Sequence, residues 1–372
     1  MVDTLHAGQA EKAERPRGYP LHDEERAYQV ERGMKPVETP RLIPMRPETE
    51  VAYTTLDLSP LRPGSSVTAI DSPEAKSLIG CFEEHAGGLV LMPGRLHLGA
   101  RRRLDTGRAV FQMMCLDSFH EAVSPYDFDE TVIISILREG PILRVQENLY
   151  LATGLGVQDN VLISVHHVPD DQAGHMGLRA DADYQRSDLS EREATKIKHA
   201  IVVDSIAGGR NTLEALRIKR QDLPNLETVT MVSIHASLKG IERIVRHSPP
   251  EIKQLRFFCL NTVIAASMAN HYDCYLPRHR PETMPDPQDL RLFDTIYGQE
   301  IAAWVPFGGD WSANYLNPTR ATRVFEEQLG PLGVTSEGIM ERTRAISLEE
   351  MEELGFDRPS LMPYSTLLGL RE

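Results

Sequence analysis

Ile201-Val202-Val203, an unbroken β-branched run, stops at Asp204 and passes through Gly208 and Gly209 into the helical spacing of Leu213 and Leu216. Residues 200–216 constrain the fold more than any other stretch. A strand without polar alternation is apolar on both sides, so it belongs in the middle of a parallel sheet with helices on both faces. The sharp turn that follows sets backbone N–H groups and the positive end of a helix dipole beyond the strand's carboxyl end, where a phosphoryl group is well held. Asp204, last in the strand, is placed to accept hydrogen bonds from sugar hydroxyls beside that group. A purely structural alternative exists, because a glycine pair also eases the packing of a helix on a sheet.

The same alternation recurs along the chain. Strands are expected over 130–137, 160–165, 228–235 and 255–260, and helices over 142–155, 238–246 and 263–271, with an apolar helical face running from Leu104 to Phe119. Strands separated by helices imply right-handed crossovers and a parallel sheet whose ligands bind beyond the carboxyl ends of the strands. The polar, acid-bearing stretch 167–198 reads as a lid loop and the proline-broken stretch 277–300 as an insertion. Residues 1–75, interrupted by Pro16, Pro20, Pro36, Pro40, Pro44, Pro47, Pro60 and Pro63, read as an extension. Residues 323–372 read as a helical tail with a capping box at Ser347 to Glu350, which leaves 76–322 as the globular domain.

Charge narrows the partners. Forty Lys and Arg against 54 Asp and Glu give a net charge of -14, which argues against a nucleic-acid or anionic-membrane surface, so any anion must be held locally. Cys81, Cys115, Cys259 and Cys274 show no Cys-x-x-Cys spacing, so reduced thiols in a cytoplasmic protein are expected, with neither a zinc site nor a disulfide framework. No apolar run reaches the roughly 18 residues of a membrane span. His166, His167 and His175 lack metal-ligand spacing and read as solvated loop residues, and Arg101-Arg102-Arg103 reads as a solvated helix face.

Three loops follow strand-like runs in a set order: Ile136-Leu137-Arg138-Glu139-Gly140, then Val203 to Thr212, then Ala303-Trp304-Val305-Pro306-Phe307-Gly308-Gly309-Asp310-Trp311. Together they resemble the type I phosphoribosyltransferases, and most closely the uracil phosphoribosyltransferases. That family ends a strand in Leu-Arg-Ala-Gly and carries Val-Asp-Pro-Met-Leu-Ala-Thr-Gly-Gly-Ser at its centre. Its later Ala-Pro-Glu-Gly-Leu-Glu-Arg-Leu is similar to Ala236 to Ile244 here, and the resemblance covers about 90–320.

The resemblance implies an α/β fold with a parallel sheet, helices on both faces, and transfer of ribose 5-phosphate from phosphoribosyl diphosphate to a nitrogen heterocycle. It implies that Asp204 holds the ribose hydroxyls, that the backbone of Ala207, Gly208, Gly209, Arg210, Asn211 and Thr212, helped by the Thr212 hydroxyl, cradles the 5-phosphate, and that Ser205 and Ile206 also line the phosphoribosyl diphosphate site. Arg138, with Glu139 and Gly140, would grip pyrophosphate. Trp304, Gly309, Asp310 and Trp311 would lie against the base, with Asp310 also near the sugar phosphate. Mg²⁺, carried chiefly by the substrate's own oxygens, is the implied cofactor, with no metal-ligating side chains required, and a homodimer or larger homo-oligomer is the implied assembly. Gly209-Arg210-Asn211-Thr212 stands where the family has Thr-Gly-Gly-Ser, and Ala313-Asn314 where it has Asp-Arg, so the accepting base need not be uracil. A non-catalytic sensor of a phosphorylated sugar or nucleotide, keeping the fold, is the second reading.

Overall fold

Both sides of the Ile201-Val202-Val203 run are covered, as its lack of polar alternation requires. The computed structural model describes residues 51–78, 80–85, 88–91, 96–97, 99–137, 143–169, 178–260, 263–264, 303–304 and 341. In chain order the strands are β1 (Ala52–Asp57), β2 (Ser66–Asp71), β3 (Cys81–His85), β4 (Gly88–Leu91), β5 (Thr131–Leu137), β6 (Asp159–Pro169), β7 (Leu178–Arg186), β8 (His199–Val203), β9 (Thr228–Ser233), β10 (Ala236–Ser237), β11 (Gln254–Cys259), β12 (Val263–Ile264) and β13 (Ala303–Trp304). The helices are α1 (Pro73–Lys76), α2 (Gly99–Met114), α3 (Asp117–Val123), α4 (Val145–Thr153), α5 (Glu191–Ala194), α6 (Arg210–Asp222) and α7 (Leu238–His247).

Eight strands form the main sheet in the order β1-β2-β11-β9-β8-β5-β6-β7. From β2 to β6 all neighbours are parallel, and an antiparallel strand closes each edge. Alternate residues of the central strands feed two separate cores. Ile134, Ala200, Val202, Met231 and Phe257 pack with Leu216, Ile241 and Ile244 of α6 and α7. Ile133, Ile201, Val203, Val232 and Phe258 pack with Val110, Phe119 and Leu149 of α2, α3 and α4. The α/β architecture with a mostly parallel sheet and helices on both faces is therefore observed, and its cause is the burial of both strand faces.

Several sequence expectations need correction. The run expected as one helix from Leu104 to Phe119 is two, because the chain breaks after Met114 and restarts at Asp117. Val263 and Ile264, expected to open a helix, pair with Ala236 and Ser237 as β12, in keeping with their β-branched side chains. The 167–198 stretch is not a loop throughout. β6 continues to Pro169 and pairs with β7 as an antiparallel hairpin, and Ser190 caps α5. Part of the 1–75 extension is built into the sheet as β1 and β2. There Arg62 donates to the carbonyls of Ser248 and Ile252 at 2.8 and 3.2 Å, tying this hairpin to the segment after α7. The 277–300 insertion and, apart from residue 341, the 323–372 tail lie outside the described residues. Among the described residues no helix is long and apolar enough to cross a membrane.

The amino end of the sheet carries a pH liability. His199 is fully enclosed, stacked on Tyr126 with ring centroids 4.6 Å apart, and its Nε2 lies 2.9 Å from Thr230 Oγ1. Burial, with the Arg256 charge second, pushes its pKa down to about 3. An imidazole depressed in the folded state takes up its proton on unfolding, so its contribution is intact above the unfolded pKa of about 6.5 and is lost as pH falls towards 3. The expected loss is up to roughly 1.4 kcal/mol per pH unit across that window. Urea unfolding at pH 7, 6 and 5 should show it, and His199→Phe should flatten the slope. A slope unchanged in that variant would place the acid sensitivity elsewhere.

Candidate functional site

β5 and β8 lie side by side, but their connections leave in opposite directions: β5 leads through α4 to β6, and β8 leads through α6 to β9. Right-handed crossovers that reverse direction put their helices on opposite faces, as α4 and α6 are, which makes the carboxyl ends of β5 and β8 the switch point of the sheet, where α/β folds bind ligands. Ser135 of β5 pairs with Val203, the last residue of β8. The segments that follow β5 and β8 thus leave from adjacent strands. Arg138, Glu139 and Gly140 themselves lie outside the described residues, as do Gly309, Asp310 and Trp311.

The turn has a defined build. Ile206 is buried, donates its N–H to the His235 carbonyl at 2.8 Å, and accepts from Ser237 N at 2.7 Å. Gly209 has φ +72° and precedes the first residue of α6, Arg210, with no side chain capping the helix and no acidic residue in its first turn. The leading N–H groups of a helix have no partner within it. The Ala207, Gly208 and Gly209 N–H groups also have no protein acceptor among the described residues. The result is a row of donors at a positive helix end, an anion site in its chemistry.

Asp204 closes one side of the turn. Its Oδ2 accepts the Thr212 hydroxyl at 2.5 Å and its carboxylate also takes the Ser205 N–H, while burial pushes its pKa up to about 7 against the lowering effect of those two bonds. Thr212 is fully buried, so its hydroxyl orients Asp204, a different task from the phosphate contact expected of it. Asn211 and Ser205 are half-buried at the mouth of the turn, as are Ala207, Gly208 and Arg210. Arg210 stands at the first helical position with its charge close enough to that of Arg243 to help lower the latter's pKa, after burial as the larger cause.

Three residues outside the expected set support the turn. Arg243 Nη1 donates to the Gly208 carbonyl at 2.5 Å, Ser237 Oγ donates to the Ala207 carbonyl at 2.5 Å, and Gly240 stands so close that a Cβ there would lie 2.2 Å from the Ala207 oxygen. The only sequence signal for them was that Ala236 to Ile244 matched the family, without a role attached.

A buried polar chain links this turn to the strand that carries Trp304. Trp304 pairs with Cys81 in a small sheet of order β13-β3-β4. Just before β3, the Leu78 carbonyl accepts from Arg102 Nη1 at 2.5 Å, and Arg102 Nη2 lies 3.3 Å from His235 Nε2. His235 is the residue whose carbonyl holds Ile206. Arg102, expected on a solvated helix face, is 2% exposed; helical spacing sets it one turn from Asp105, which binds His97 Nδ1 at 2.5 Å and Ser77 Oγ at 2.9 Å.

No protein-family model matches the chain, and neither does any curated protein. Among solved structures it is similar to adenine phosphoribosyl transferase from Trypanosoma brucei in complex with AMP, pyrophosphate and ribose-5-phosphate, at 11% identity over 63% of this chain and 93% of that one, TM-score 0.32. L. donovani hypoxanthine-guanine phosphoribosyl transferase gives 13% identity over 59% and 99%, TM-score 0.30. A hypothetical protein from Neisseria gonorrhoeae with bound ppGpp gives 16% identity over 43% and 79%, TM-score 0.31. The fold assignment rests on the sheet order and the two cores, not on these likenesses.

Proposed function

We propose that the protein transfers the phosphoribosyl group of phosphoribosyl diphosphate to a ring nitrogen of a heterocyclic base. One observation carries the reading: at the switch point of the sheet, an uncapped turn presents unengaged N–H groups beside a carboxyl oriented by Thr212. The turn suits a 5-phosphate, and Asp204 suits the ribose hydroxyls that lie a few bonds away from it.

In the proposed reaction the bond from ribose C1 to the diphosphate oxygen breaks and its electron pair leaves with pyrophosphate. A ring nitrogen of the base then bonds to C1 and gives up its proton to solvent. The protein's task is to hold the phosphate end, so that C1 is fixed between the departing group and the base, and to stabilise the leaving charge, which falls to Arg138 and the backbone after it. Mg²⁺, when bound, would neutralise the diphosphate. Asp204 would give one hard oxygen ligand at the turn, and the diphosphate's own oxygens would supply most of the coordination.

Incubation with phosphoribosyl diphosphate, Mg²⁺ and a panel of purine, pyrimidine and pyridine bases should release pyrophosphate with at least one of them. Binding of the sugar diphosphate without release for any base would remove the transferase and leave a ligand sensor.

A further inference from the structure

We propose that the first two turns of α7 are a working part of the phosphate site, acting through the peptide groups of the turn. Ser237, Gly240 and Arg243 are spaced by three along one side of the helix and its cap, and all three meet the backbone of Ala207 and Gly208. A trans peptide points its C=O and its N–H in opposite directions. Pinning the Ala207 carbonyl to Ser237 therefore turns the Gly208 N–H away from α7. Pinning the Gly208 carbonyl to Arg243 does the same for the Gly209 N–H. These are two of the N–H groups without a protein acceptor among the described residues.

Glycine needs such control. The peptides on either side of Gly208 have little steric reason to hold one orientation, since glycine tolerates most backbone angles. An anion nest works only if successive N–H groups converge. Ser237 has its own hydroxyl fixed by capping α7, where it accepts from Gly240 N at 2.9 Å, so its donor is committed to Ala207. A guanidinium on a carbonyl also polarises that peptide and strengthens the N–H at its other end as a donor. Arg243 and Ser237 are thus positioning residues for the phosphoryl group, with Arg243 set behind the turn.

The inference rests on the turn being a phosphate site and not on transfer chemistry. The test is amide chemical shifts of the full-length protein, read on adding ribose 5-phosphate. Wild-type Gly208 and Gly209 amides should both move downfield. In Arg243→Ala the Gly209 response should be lost and the Gly208 response kept, with affinity weakened roughly ten- to hundredfold, the scale of one hydrogen bond to a charged group. Arg243→Lys, which retains a charged donor, should restore part of the Gly209 response. Retention of both responses in Arg243→Ala, or their joint loss with a lowered melting temperature, would overturn the proposal by making Arg243 either idle or a general brace. If neither amide moves in the wild-type protein, both this assignment and the phosphate turn fall. Intact shifts without pyrophosphate release remove only the transfer reaction.

Discussion

Asp204→Asn is expected to cut kcat/KM for phosphoribosyl diphosphate by about a hundredfold or more and, at pH 8, to raise the melting temperature. The two effects share one cause. Burial lifts the Asp204 pKa to about 7 from the ordinary aspartate value of 3.8, so the folded protein holds the proton more tightly than the unfolded chain does. Its contribution to stability is fully present below the unfolded pKa and is lost as pH rises through 7. The distance between those two values bounds the penalty near 4 kcal/mol above pH 7, at about 1.4 kcal/mol for each pH unit between them. Asparagine removes the charge but has one acceptor oxygen for the Thr212 hydroxyl and the Ser205 N–H, so a net gain of roughly 1–3 kcal/mol is expected. A charged acceptor is worth more to sugar hydroxyls than an amide, hence the loss of turnover. Urea midpoints at pH 5 and pH 8 check the first half: the variant should gain at pH 8 and much less at pH 5. An unaltered rate would put the reacting centre elsewhere, and a destabilised variant at pH 8 would show that Asp204 is not held against its burial.

Gly240→Ala should do the reverse of what helix propensity dictates. Inside a helix the change normally stabilises by about 1 kcal/mol. Here the added methyl would sit 2.2 Å from the Ala207 carbonyl oxygen and 2.8 Å from Ile206 Cγ2, and that oxygen is backbone already held by Ser237. Overpacking of this kind costs typically about 1–3 kcal/mol and outweighs the propensity. The only relief is for α7 to move off the turn, which releases the Ala207 and Gly208 carbonyls together. The expected result is a melting temperature several degrees lower, with affinity for ribose 5-phosphate reduced at least tenfold. A variant more stable than the wild type would mean that α7 does not approach the turn this closely. Gly209→Ala would meet α7 at a second point, 2.6 Å from the Gly240 oxygen, with a positive φ added.

Where sequence reading succeeded, the information was local. Ile201-Val202-Val203 told of burial on both faces because side-chain alternation is a property of the strand alone. Gly208-Gly209 followed by Leu213 and Leu216 told of a turn into a helix for the same reason. Where it went astray, a partner distant in sequence decided. Arg102 lies in a charged triplet that patterns as solvated, yet the Leu78 carbonyl and His235 make its burial possible. β7 carries too many polar residues to pattern as core, and it forms because an antiparallel strand at the sheet edge, paired with β6 alone, needs only one covered face.

What the residues determined unaided was the alternation of strand and helix and the position of the turn after Asp204, since each depends on neighbours within a few residues. Only the folded chain decided that β5 and β8 stand adjacent, that Thr212 spends its hydroxyl on Asp204, and that α7 fixes the peptides of Ala207 and Gly208. Those outcomes depend on how segments far apart in the chain meet, which packing of two apolar faces sets and which no local pattern encodes.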